Sequence, residues 1–158
     1  MNVRSRFRNA FAALIMIVGT MMTPAHADPI PASSIPDVDL MQPTEVAALL
    51  KSAGTKPLIL QVGFKKLYDQ AHIPGSEYAA PAGDSDGLNL LRERVAKLSK
   101  GAPILIYCGC CPWSHCPNLG TAYQELHTLG FKHVKALHIA ENFGKDWVDK
   151  GYPTIHGA

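Results

Sequence analysis

Two short apolar runs, residues 58–62 and 104–107, each stand between stretches whose apolar residues recur at helical spacing. That alternation restricts the chain more than its composition does. Strands that take turns with helices run in the same direction and form a mostly parallel sheet, which has to be covered on both faces. The two runs are too short for buried helices and read as strands. Leu88, Leu91, Val95 and Leu98 recur at intervals of 3, 4 and 3 residues, one stripe of an amphipathic helix that Gly101-Ala102-Pro103 stops. Leu119, Ala122, Leu126 and Leu129 form a second stripe, closed by Gly130. Thr44 is placed to cap a short helix carrying Val46, Leu49 and Leu50 and ended by Gly54. Residues 134–137 read as a third central strand and 143–150 as a closing helix before Gly151. The expected fold is a small α/β sandwich of three layers with a mostly parallel central sheet.

The first 27 residues follow a different logic. Arg4, Arg6 and Arg8 precede an apolar run of 12 residues, 11–22, and Ala25-His26-Ala27 follows it. This is the pattern of a secretory signal peptide cleaved after Ala27, and the run is too short for a spanning helix, which needs about 20 residues. The expected location is therefore the periplasm or the exterior, with no stable membrane anchor after cleavage. Removing three arginines leaves 12 basic against 13 acidic residues, so the apparent basicity belongs to the targeting segment and no basic stripe remains for nucleic acid. Residues 28–40 hold Pro29, Pro31 and Pro36 with Ser33 and Ser34, a composition expected of an extended arm. With 47% apolar and 18% charged residues, the remainder suits one globular domain and excludes a disordered or collagen-like chain.

All four cysteines, Cys108, Cys110, Cys111 and Cys116, fall within nine residues directly after the second apolar run. A disulfide framework would spread them to close large loops, so their clustering points to local chemistry. In a parallel sheet the ligand site lies beyond the carboxyl ends of the strands, which is where this loop begins. Cys108 leaves a strand end and Pro117 or Asn118 opens a helix, whose N-terminal N–H groups favour a thiolate. The other three cysteines leave several uses open. Cys111 and Cys116 could form a disulfide, and Cys110 or Cys111 could resolve an oxidised Cys108. Cys110, Cys111 and Cys116 with His115 could instead hold a soft metal such as Cu(I) or Zn, although their spacing is not the paired one of structural zinc. No other cofactor is called for.

The ordered set Ala71-His-Ile-Pro-Gly-Ser76, a strand ending in Tyr107-Cys108, a helix into Leu129-Gly-Phe131, a strand to Leu137, and Trp147 with Lys150-Gly-Tyr-Pro153 resembles the rhodanese-like sulfurtransferase family. The resemblance implies a rhodanese-like domain over residues 41–155, behind the signal peptide (1–27) and the arm (28–40). It implies that Cys108 is the nucleophile, that it takes sulfane sulfur from a donor as a persulfide and that it passes the sulfur to a thiol acceptor, either of them small or protein-bound. It also implies that the loop, Gly109, Cys110, Cys111, Trp113, Ser114, His115 and Cys116 up to Pro117, cradles the charged sulfur with its backbone N–H groups. The loop departs from the family pattern in length, by about five residues, and in having no Lys or Arg between Cys108 and Lys132. An inorganic dianion such as thiosulfate needs fixed positive charge, so a neutral or protein-bound persulfide is the expected donor. A thiolate metal module and a catalytically silent binding domain are the rival readings. His72, beside Pro74-Gly75, reads as a structural turn residue and Trp147 as core, while His127, His133, His138 and His156 have no partner legible from spacing.

Overall fold

The computed structural model of the protein describes residues 34–157, so the expected signal peptide, residues 1–27, and the first part of the expected arm, residues 28–33, lie outside the described residues. Five strands form one sheet, β1 (Leu40–Met41), β2 (Leu58–Gln61), β3 (Ser76–Tyr78), β4 (Ile104–Tyr107) and β5 (Val134–Leu137). The spatial order is β1-β5-β4-β2-β3, and every pairing is parallel. β4 is therefore central, in register with β2 from Leu58↔Ile104 to Gln61↔Tyr107.

Successive side chains of a strand point to opposite faces, and β4 divides its residues accordingly. Ile104, Ile106 and then Cys108 join Leu60, Leu91, Val95, Leu119 and Leu126 in the layer under α3 (Ser85–Val95) and α4 (Pro117–Thr128). Leu105 and Tyr107 join Val46 and Ala47 of α1 (Pro43–Lys51), with Ile59, Leu137 and Trp147, on the opposite face. Ile106, Leu60 and Leu126 are completely buried, each worth about 1.5–3 kcal/mol of transfer free energy. A short α2 (Lys65–Gln70) links β2 to β3.

Several boundaries differ from those the sequence suggests. α1 begins at Pro43 behind Gln42, not behind Thr44, because proline at the first helical position has its φ already set; the Glu45 carboxylate accepts the Gln42 N–H at 2.6 Å. α3 ends at Val95, ahead of Leu98, which still packs on the core. The closing helix is a π-helical turn, Gly144–Val148, whose Trp147 is buried and donates its indole N–H to the Pro153 carbonyl at 2.9 Å. The end of the arm belongs to the domain: Ile35 is buried in the α3/α4 layer, and Leu40 and Met41 pair with Ala136 and Leu137 as an edge strand. No described helix is long and apolar enough to cross a membrane.

Candidate active site

The site begins where β2 and β4 end side by side. Gln61, 1% exposed, donates from Nε2 to the Cys108 carbonyl at 3.0 Å and accepts the Gly63 N–H on Oε1 at 3.2 Å. One amide thus joins the exits of both strands and satisfies its own buried polar atoms. Gly63 faces the sulfur directly, since a Cβ there would lie 2.6 Å from Cys108 Sγ. The next residue, Gly109, has φ +97, a left-handed conformation that only glycine adopts at little cost, and a Cβ on it would meet Phe143 Cβ at 2.9 Å. The Phe143 N–H donates to the Gly109 carbonyl at 3.0 Å, which fastens the turn to the closing segment.

That turn folds the chain so that Cys108 Sγ and Cys110 Sγ stand 3.4 Å apart, with Cys111 Sγ a further 3.1 Å from Cys110 Sγ. Cys116, fully buried at the N-cap of α4, completes a group in which the Cys108, Cys110 and Cys116 sulfurs lie within 4.8 Å of one another. Asn118 in the first turn of α4 points Nδ2 at Cys108 Sγ from 3.8 Å, while its Oδ1 accepts the Gly83 N–H at 2.8 Å.

These donors set the acidity. The Cys108 thiol is held well below the ordinary thiol range, first by the hydrogen bond from Cys110, then by Cys116, the Cys110 backbone N–H and Asn118, all acting against burial. Cys110 and Cys116 shift the other way because each donates to Cys108. Burial, followed by Cys110, pushes Cys111 up to about 11. The cluster therefore concentrates one negative charge on Cys108 and keeps its neighbours as donors. Such a sulfur can attack a polarised sulfur–sulfur bond, and three sulfurs this close could also hold a soft metal ion.

The loop places the expected residues unevenly. Cys108, Cys110 and Cys116 meet, and Cys111 touches Cys110. His115, Ser114 and Trp113 do not join them. His115 is exposed, with Nδ1 3.0 Å from Ser114 Oγ, and the three sulfurs that come together are those of Cys108, Cys110 and Cys116, with Cys111 and His115 outside that group. Trp113 braces the loop, donating its N–H to the Ile139 carbonyl at 2.8 Å with its ring 5.8 Å from that of His138. All four cysteines stand as free thiols in the structure, Cys111 and Cys116 included. The cradle of backbone N–H groups is also smaller than expected. Trp113, His115 and Cys116 donate theirs to the carbonyls of Ile139, Pro112 and Trp113, and Pro112 and Pro117 have none to give. Thiols and one amide stand in their place.

A cavity of about 450 Å³ adjoins the loop. Leu67, Phe143 and Val148 supply apolar walls, Gln61, Gln70 and Asn142 supply amides, and Cys108, Gly109 and Cys110 line one side. Its lining holds no Lys, Arg, His, Asp or Glu. His72, by contrast, is structural as expected: it stacks on Tyr68 at 4.1 Å, and its backbone bridges to Ile155.

Gln61, Gly63 and Gly83 belong to the site although no sequence motif marks them.

The chain belongs to the rhodanese-like domain family, whose model matches residues 42–139. No curated protein matches it. Solved structures share the fold. The Alr3790 protein from Anabaena sp. is 21% identical, with a TM-score of 0.57 over 73% of this chain and 91% of that one. The BH2092 protein from Bacillus halodurans is 19% identical, with a TM-score of 0.57 over 73% of this chain and 75% of that one. The thiosulfate sulfurtransferase from Pseudomonas aeruginosa is 21% identical, with a TM-score of 0.54 over 75% of this chain but only 20% of that one.

Proposed function

We propose that this protein is an exported sulfurtransferase in which Cys108 carries sulfane sulfur as a persulfide. The observation that carries the reading is the set of donors aimed at one sulfur at the carboxyl end of the central parallel strand, with Cys110 Sγ at 3.4 Å and Asn118 Nδ2 at 3.8 Å. A thiolate so held attacks the outer sulfur of a donor R–S–SH. The donor's sulfur–sulfur bond breaks, a new one forms on Cys108, and the donor leaves as the thiol R–SH with the proton the thiolate lacks. A thiol acceptor then attacks the outer sulfur of the Cys108 persulfide and returns Cys108 as thiolate.

A cavity lined by no Lys, Arg or His favours a neutral or protein-bound persulfide as donor, because thiosulfate would enter without a cation to meet it. The test is donor consumption by the mature protein with cysteine persulfide and a thiol acceptor. Wild type should turn over, and Cys108→Ser should fall to the uncatalysed background. Equal rates would reject the reading and favour a silent binding domain.

A second reading is favoured by the proximity of three sulfurs, Cys108, Cys110 and Cys116, within 4.8 Å. Deprotonated, they could hold Cu(I) or Zn as a three-thiolate site. Metal content of protein purified without chelator separates this reading from the first. A stoichiometric metal lost in Cys116→Ser would favour it, and metal-free protein with full sulfur transfer would end it.

A further inference from the structure

We infer that Cys110 is a resolving thiol, so that the Cys108 persulfide is discharged inside the loop as hydrosulfide with formation of a Cys108–Cys110 disulfide. This rests on the reading of Cys108 as the persulfide carrier and adds a product, a second reacting residue and a class of partner.

The geometry distinguishes this from the other reaction open to neighbouring thiols. A sulfur nucleophile approaches in line with the bond it breaks, and a sulfur–sulfur bond is about 2.05 Å long. If Cys110 were to take the outer sulfur from Cys108, that atom would stand between the two, and the cysteine sulfurs would need roughly 5 Å between them. If Cys110 attacks the inner sulfur, the two cysteine sulfurs need only van der Waals contact. They are 3.4 Å apart, which suits the second reaction. Gly109 creates this contact. Alternate residues of an extended strand lie on one face but well apart, and the φ of +97 at Gly109 turns Cys110 back onto Cys108. No side chain at 109 fits, because its Cβ would meet Phe143 at 2.9 Å.

The step balances without an outside reagent. Cys110 Sγ bonds to Cys108 Sγ, the bond from Cys108 Sγ to the outer sulfur breaks, and its electron pair leaves on the outer sulfur. The Cys110 thiol proton goes to that leaving sulfur, which departs as hydrosulfide. The two cysteines are oxidised together and the sulfane sulfur is reduced. Restoring both thiols takes two electrons from an external dithiol or a pair of small thiols. Cys108 is buried and Cys110 only partly so, which makes Cys110 the sulfur such a reductant reaches first.

The experiment treats fully reduced mature protein with one equivalent of cysteine persulfide, without reductant, and follows sulfide release together with intact mass and peptide mapping. Wild type is expected to release close to one equivalent of sulfide and to lose two hydrogens, with the crosslink mapped to Cys108 and Cys110. Cys110→Ser and Cys110→Ala are expected to retain one added sulfur on Cys108 and to release sulfide about tenfold more slowly or less. Wild type holding a stable added sulfur would overturn the inference, as would a crosslink from Cys108 to Cys111 or Cys116, or sulfide release unchanged in both variants. Neither variant gaining sulfur, with wild type also unmodified, would reject the underlying persulfide reading instead.

Discussion

Gly63 and Cys108 approach so closely that a single methyl group on the glycine would stand 2.6 Å from the cysteine sulfur. Two strand exits, from β2 and β4, converge on that contact, and Gln61 ties them together through the Cys108 carbonyl. The position of the sulfur is therefore set by the sheet and not by the loop alone.

Gly63→Ala should displace the Cys108 side chain and cost about 1–3 kcal/mol of stability, the usual range for overpacking a filled site. Thermal or urea unfolding measures the cost. Alkylation of Cys108 should slow in the same variant, because the sulfur leaves its donors. An unchanged melting temperature with an unchanged alkylation rate would show that the site has slack.

Gln61→Leu removes an amide that satisfies both the Cys108 carbonyl and the Gly63 N–H. Leaving buried groups unpaired costs about 1–3 kcal/mol. Because the bonds lie at the strand exits, hydrogen exchange should quicken at residues 62–64 and 108–110 more than in α3. Uniform protection loss would mean that the residue supports the core generally.

The lowered pKa of Cys108 fixes a pH dependence. A thiol is reactive only once deprotonated, so lowering its pKa keeps the thiolate present as pH falls, and reactivity disappears only below that lowered value. At pH about 6 an ordinary cysteine, with pKa about 8.5, is almost wholly protonated, whereas Cys108 should still alkylate near its plateau rate. Cys110→Ala takes away the principal donor and Asn118→Ala a weaker one, so both profiles should move to higher pH, the first further. Iodoacetamide kinetics with peptide mapping measure this, and a wild-type midpoint in the ordinary thiol range would contradict the donor account.

Much of this arrangement was legible in the sequence because the fold is written in periodic apolar spacing. Residues 58–62 and 104–107 gave β2 and β4, and the stripes through Leu91 and Leu119 gave α3 and α4. Cys108 could be placed at a strand end for the same reason. The helix boundary falls at Pro43 and not behind Thr44 because proline at the first helical position overrides the commoner serine or threonine cap signal. Within the loop the sequence carried less. Spacing alone offered Cys111 with Cys116 as a pair, whereas the pairing of sulfurs depends on the sign of φ at Gly109, on the Phe143 contact and on the α4 N-terminus that brings Cys116 inward. Gln61 is a buried amide bridge, a role no local pattern marks because it requires a partner 47 residues away.

Donor choice follows from the cavity. Without a cationic lining residue, kcat/KM for cysteine persulfide should exceed that for thiosulfate by about tenfold or more, since a charge-assisted hydrogen bond contributes about 1.5–3 kcal/mol. Gln70→Arg places a cation on the cavity wall and should narrow the ratio. A wild type that prefers thiosulfate would refute the reading of the cavity.

The most direct test of the central claim is to map the sulfur itself. Cys110→Ser protein, in which the bound sulfur should persist, is treated with cysteine persulfide, freed of excess donor and digested without reductant. The account predicts a gain of about 32 mass units on the peptide carrying Cys108, and no gain in the Cys108→Ser, Cys110→Ser double variant. Added sulfur on Cys111 or Cys116, with Cys108 unmodified, would contradict it.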